Sequence, residues 1–167
     1  MMNIKFPKQL LQEVKGGLDV LNVRLSIAES VTAGHLQLCF AQMENAADVF
    51  AGGITAYTID EKVRILHVDP HEAKKYNCVS SDITEQMARE VSMLFHTDWG
   101  IATTGYATPV KESNGRLYAF FSISYKRQIV HTEKIELPLE TNAEEAQYTY
   151  ALITLKTFHK IIMKDTI

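Results

Sequence analysis

The feature that most constrains this chain is a junction near its start, where a strand pattern passes through a short polar loop into a helical one. Val23 to Ala28 reads VRLSIA, alternating apolar and polar residues with β-branched members, as a strand does. Glu29-Ser30-Val31-Thr32-Ala33-Gly34 follows, and after it the helical-looking HLQLCFAQM. Such a junction gathers free backbone N–H groups and the positive end of a helix dipole at one point.

The rest of the chain fits around that unit. Pro7 to Leu21 predicts an amphipathic helix, with Leu10, Leu11, Val14, Leu18 and Leu21 at helical spacing and Pro7 suited to the first turn. Val49 to Tyr57 reads as a second strand, with Gly52-Gly53 marking a bulge or a close backbone approach. Short helices are expected over Asp60–Leu66 and from Pro70, then a longer one from Ile83 to Phe95 with Ser81 or Asp82 as cap. Trp99 to Thr103 is a short apolar strand, followed by a loop from Thr104 to Gly115. Two more strands, RLYAFFSIS and QIVHTEKIEL, are joined by a tight turn at Tyr125-Lys126-Arg127, and a last helix runs from about Asn142 to Met163. Alternating helices and strands followed by a hairpin predict an α/β protein, a three-layer α/β/α sandwich with a mixed sheet. No repeat, low-complexity tract or linker interrupts the chain, so residues 1–167 are read as one domain.

Composition removes several classes of function. With 46% hydrophobic residues over 167, the chain has material for one substantial core. A net charge of −3 and the lack of a dense Lys/Arg cluster argue against nucleic acid and anionic membrane as partners. No stretch reaches the ~20 apolar residues of a membrane span, and MMNIKFPKQLLQEVK lacks the apolar run of a signal peptide. Cys39 and Cys78 form neither a CxxC nor a metal-ligand spacing, and Cys39, in an apolar run, reads as a small core residue. His67 and His71 have i, i+4 spacing, but the intervening Pro70 makes a shared helical face doubtful, so no metal or cofactor is expected. A reducing, cytoplasmic setting fits these features.

Three residue types suggest chemistry. Ser30, beside Glu29 and Thr32 at the junction, is placed either to attack a carbonyl or to cap the helix that follows. Lys62 is either a base, which needs a neutral amine and therefore burial or a nearby cation, or an ordinary charge on a solvated helix face. Tyr57 is either a partner to that centre or a core aromatic with its hydroxyl satisfied.

Taken together these segments resemble the C-terminal domain of the CinA family. AESVTAG at 28–34 is similar to the family's AES-x-TGG, and GGITAYTIDEK at 52–62 to its GG-x-x-x-Y-S-x-x-x-K. VSSDITEQMARE at 79–90 and IATTG at 101–105 match two further stretches, all four in order and in register. The resemblance implies an α/β/α amidohydrolase that converts nicotinamide mononucleotide to nicotinic acid mononucleotide and ammonia. On that likeness Ser30 is the nucleophile, Lys62 its base and Tyr57 a hydrogen-bonding partner. Glu29, Thr32, Gly34, Gly53, Thr104 and Gly105 are then expected on the substrate side. The ligand would be a small-molecule amide or nucleotide, and a homodimer is expected from the family.

The departures concern phosphate. Thr108 and Lys111 stand where the family's TG-x-AGP-x-G turn has glycines, and Ala33 replaces the first glycine of TGG. Glycines give access to positive φ and close backbone approach, both useful for cradling a phosphate. The family's arginine near the start of the last helix has no counterpart: the segment reads PLETNAEEAQ, and no arginine follows Arg127. The same departures fit an amidase for an unphosphorylated substrate, or a module that keeps the fold without turnover.

Overall fold

The structure, a computed structural model, describes residues 6–165. Its elements are α1 (Lys8–Leu21), β1 (Leu25–Glu29), α2 (His35–Phe40), a 3-10 turn (Ala46–Asp48), β2 (Phe50–Thr55), α3 (Ile59–Leu66), α4 (Pro70–Lys75), α5 (Ser81–Leu94), β3 (Trp99–Gly105), β4 (Leu117–Tyr125), β5 (Gln128–Leu137) and α6 (Ala143–Asp165). The five strands form one mixed sheet in the order β2-β1-β3-β4-β5, parallel among the first three and antiparallel through the last two pairings. Helices cover both faces, as the alternation of elements predicts.

Strand alternation decides what each face can hold. Leu25, Ile27, Trp99, Ile101, Phe121 and Ile123 point to one side, where α1, α2 and α6 close over them. The other side carries Ala28 and Ala102 and packs against α3, α4 and α5. Ser26 and Ser124 share this side, and their hydroxyls donate to the Val91 and Ala88 carbonyls of α5 at 3.0 and 2.9 Å. A Cβ on Gly100 would lie 1.9 Å from the Ala88 carbonyl oxygen, so this glycine lets α5 rest on the sheet at backbone contact.

The differences from expectation lie at element ends. The third strand continues through Thr104 and Gly105, which pair with Phe120 and Ala119 of β4. The cap of α5 is Ser80, whose hydroxyl accepts from the Ile83 amide at 3.2 Å, rather than Ser81 or Asp82. The second strand ends at Thr55, leaving Tyr57 in the connection to α3. The hairpin turns on Lys126 and Arg127, with φ of 47° and 66°, the paired left-handed conformation that matches strand twist in a two-residue loop.

This order locates a cleft. The chain leaves β1 through α2 toward β2 on one flank, while β3 leads to β4 on the other. Neighbouring β1 and β3 are parallel, so their C-terminal ends open between diverging connections, where α/β sheets bind ligands. Ser30 is the first residue beyond β1.

Candidate functional site

Glu29, the last residue of β1, is fully buried and organises the loop after it. Its carboxylate accepts from the amides of Gly34, Leu36 and Gln37 at 3.0, 3.1 and 2.7 Å, satisfying the start of α2. The capping work therefore falls to Glu29 and not to Ser30. The Ser30 amide donates to the Thr103 carbonyl at 3.0 Å, and the Thr32 and Thr103 hydroxyls meet at 2.7 Å, tying the loop to β3. Among the described residues the Ser30 hydroxyl has no protein partner, nor do the amides of Val31 and Thr32.

Ala33 and Gly34 take φ of 49° and 100° in succession. The alanine thus keeps a left-handed conformation of the kind expected of a glycine there, at a cost on the order of 1 kcal/mol. The same does not hold for Thr108 and Lys111, neither of which adopts positive φ; the left-handed residues of that loop are Asn114 and Gly115.

Lys62 projects from α3 and is only 3% exposed, which removes the solvated-face alternative. Its ammonium donates to the Tyr57 carbonyl at 3.2 Å, and among the described residues it has no carboxylate partner. Burial pushes its pKa below the ordinary lysine value, opposed by the neighbouring Cys78 thiol. The Cys78 thiol is itself pushed up by burial, with Lys62 pulling the other way. Tyr57 is 64% exposed and is no core aromatic; it reaches Lys62 through its backbone, not its phenol.

These pieces surround a cavity of about 310 Å³. Ser30 and Val31 from the loop after β1 line it, together with Tyr57, Thr58, Ile59 and Lys62 from the start of α3 and the connection before it. Thr104 and Gly105 contribute the end of β3, and the Thr104 hydroxyl donates to the Cys78 carbonyl at 2.8 Å, pinning the loop before α5 to the sheet. Glu29, Thr32, Gly34 and Gly53 do not line the cavity. The first three build the Ser30 loop, and a Cβ on Gly53 would lie 2.5 Å from the Ile27 carbonyl oxygen, so that glycine serves strand packing.

Among the lining residues the sequence reading did not single out are two that bond to each other. Asn77, in a left-handed conformation at φ 50°, donates from its side-chain amide to the Tyr106 hydroxyl at 3.3 Å. The Tyr106 ring packs edge-on against Tyr118, with centroids 5.4 Å apart. The only signals for this pair in sequence were an asparagine just past a helix and a tyrosine just past TG, both ordinary on their own.

Neither Lys111 nor Lys126 replaces the missing arginine at the cavity. Lys111 is exposed in the loop beyond Pro109 and does not line the cavity. Lys126 bonds through its amide to the Asp98 carbonyl, at the opposite end of β3. His67 ends α3 facing Glu90, whereas His71 belongs to α4, so the two share no helical face. Cys39 is a buried core thiol, its pKa pushed up to about 11 by burial. No helix among the described residues is long and apolar enough to cross a membrane.

Chemically, the cavity offers an unbonded hydroxyl, an amine that burial inclines toward neutrality, and loop amides without internal partners. Comparisons with known proteins point the same way as the motifs. Residues 7–161 match the family model described as the CinA C-terminal domain. A CinA-like protein of Prochlorococcus marinus is 37% identical over 105 residues, 63% of this chain and 25% of that protein. Another from Rippkaea orientalis is 40% identical over 85 residues, 51% of this chain and 20% of its own length. The chain therefore spans only about a quarter or less of these two relatives. In fold, a competence-damaged protein (CinA) superfamily protein from Klebsiella pneumoniae superposes with a TM-score of 0.87 at 20% identity, covering 96% of this chain and 99% of the other. The chain belongs to the CinA C-terminal domain family.

Proposed function

We propose that the protein hydrolyses a small carboxamide, nicotinamide mononucleotide or a related amide, with Ser30 as nucleophile and Lys62 as base. The observation that carries this reading is that Ser30 and a buried lysine without a carboxylate partner line one cavity. A buried ammonium with a single carbonyl acceptor is poorly satisfied, which lowers its pKa and makes the neutral amine a base requires easier to reach than for an ordinary lysine.

The Ser30 oxygen attacks the amide carbon while its proton passes to the Lys62 amine. The amides of Val31 and Thr32 are the available donors for the developing oxyanion, since the Ser30 amide is committed to Thr103. Collapse breaks the C–N bond, Lys62 returns the proton to the departing nitrogen, and ammonia leaves an ester on Ser30. Water then attacks that ester, giving its proton to Lys62, which returns it to the Ser30 oxygen as the acid departs.

Ammonia release from nicotinamide mononucleotide, nicotinamide riboside and nicotinamide tests the proposal. Ser30→Ala and Lys62→Ala should each lower turnover by about a thousandfold or more, and together hardly further, because nucleophile and base act as a unit. A protein that releases ammonia from none of the three overturns the reading, as does Ser30→Ala with undiminished turnover.

A further inference from the structure

We propose that Asn77 and Tyr106 are specificity-determining residues, a neutral hydrogen-bonded pair at the cavity that selects an unphosphorylated amide over its phosphorylated form. This rests on the cavity being the substrate site, as argued above, and it names the class of substrate that site takes.

The pair joins two walls that the chain brings together from far apart. Asn77 lies in the connection between α4 and α5, and Tyr106 directly follows β3. Their side chains meet at 3.3 Å, both line the cavity, and each is held from behind. The Tyr106 amide donates to the Tyr118 carbonyl at 2.9 Å, its carbonyl accepts from the Tyr150 hydroxyl at 3.2 Å, and its ring rests on Tyr118. Thr104 anchors the Asn77 side through the Cys78 carbonyl. A substrate end reaching this wall meets a carboxamide and a phenol, which exchange hydrogen bonds with hydroxyl or amide groups and carry no charge.

Charge around the cavity agrees. Among the described residues Lys62 is its only cationic lining residue, and it is buried. Beyond Thr58 and Ile59, Asp60 and Glu61 place carboxylates in the first turn of α3 without lining the cavity, and Glu61 pairs with Arg64. Two cations lie near the Tyr106 side, but both are engaged. Arg116 and Lys134 stand over the Tyr118 ring at 5.7 and 4.3 Å, and both pair with Glu136. A phosphate reaching the Asn77–Tyr106 wall therefore meets neutral lining groups, and the two cations near it are already paired.

Binding on a Ser30→Ala background separates recognition from turnover. Calorimetry should find nicotinamide riboside bound at least as tightly as the mononucleotide. Tyr106→Phe keeps the ring and removes the hydroxyl, and Asn77→Gly keeps the left-handed backbone and removes the amide. Each should weaken riboside binding by roughly three- to tenfold, the range of one neutral hydrogen bond. The proposal is overturned if the mononucleotide binds tenfold or more tightly than the riboside, if neither ligand binds, or if both variants bind the riboside unchanged. Failure of the hydrolytic reading looks different: the protein with Ser30 intact would release no ammonia while the binding ratios hold.

Discussion

On one side of the cavity, the loop carrying Ser30 is tied down by a set of hydrogen bonds: three amides on Glu29, the Ser30 amide on Thr103, and Thr32 on Thr103. On the other, Lys62 has one carbonyl for its ammonium and no carboxylate among the described residues. The first arrangement fixes geometry, since each satisfied bond removes a way for the loop to move. The second changes chemistry, since withholding partners from a buried cation lowers its proton affinity. A nucleophile is useful when its position is fixed, and a base when its pKa is brought toward the working pH. Stability is added on one wall and given up on the other.

Breaking the satisfied wall should give the largest effect on stability. Glu29→Ala leaves three amides without the buried carboxylate they bond. Hydrogen bonds to a charged group contribute about 1.5–3 kcal/mol each and do not add fully. The expected loss is roughly 3–5 kcal/mol, a fall in Tm on the order of 10 °C for a chain of this length. Glu29→Gln keeps the shape but puts an NH2 against an amide N–H, so its melt should fall between the two. A Glu29→Ala protein melting within about 2 °C of the parent would show that the loop is held by something else.

Relieving the deprived wall should do the opposite, and less. Lys62→Met removes a buried cation with too few acceptors, and should raise stability at pH 7 by about 1 kcal/mol while abolishing turnover. The sign with pH follows from the lowered pKa. Between the folded value and the ordinary 10.5, the unfolded chain holds more protons than the folded one, so parental stability rises with pH across that window. Lys62→Met lacks this rise, so its advantage should shrink as pH approaches 10.5. Urea melts of both proteins at pH 7, 9 and 10.5 measure it. An advantage that grows with pH would mean that Lys62 is stabilised as the ammonium in the folded state.

Much of this arrangement is legible in the sequence because it is local. The strand-to-helix junction, the two-sided sheet and the hairpin follow from periodicity and turn residues, and Ser30 and Lys62 from motif spacing. What is not legible depends on tertiary neighbours. Whether Lys62 is solvated turns on which way α3 rolls against α5, and its sequence fits either orientation. The Glu29 carboxylate looks like a substrate group until the amides of Gly34, Leu36 and Gln37 are seen around it. Asn77 and Tyr106 lie 29 residues apart and belong to no motif, so only the fold reveals them as a pair. Ala33 teaches the reverse lesson: the missing glycine suggested a lost conformation, yet the backbone adopts φ 49° all the same.

The smallest effect sharpens the comparison at the one residue that stands on the deprived wall without depriving anything. The family likeness makes Tyr57 a hydrogen-bonding partner of the Ser30–Lys62 centre, and the natural assumption is that its phenol does the bonding. In the fold the contact runs from the Lys62 ammonium to the Tyr57 carbonyl, while the side chain is 64% exposed at the cavity edge. The carbonyl survives any substitution that leaves the backbone in place, so Tyr57→Phe should keep the lysine's partner, its burial and its lowered pKa. Turnover should change by less than about threefold, within about 0.7 kcal/mol of barrier, and the pH at which the rate rises should not move. Tyr57→Pro preserves the carbonyl too, but its fixed φ disturbs the approach to α3, and so it tests backbone placement instead. A loss of a hundredfold or more in Tyr57→Phe, or a shifted pH–rate profile, would mean the phenol swings inward when substrate binds and takes a direct part in the chemistry.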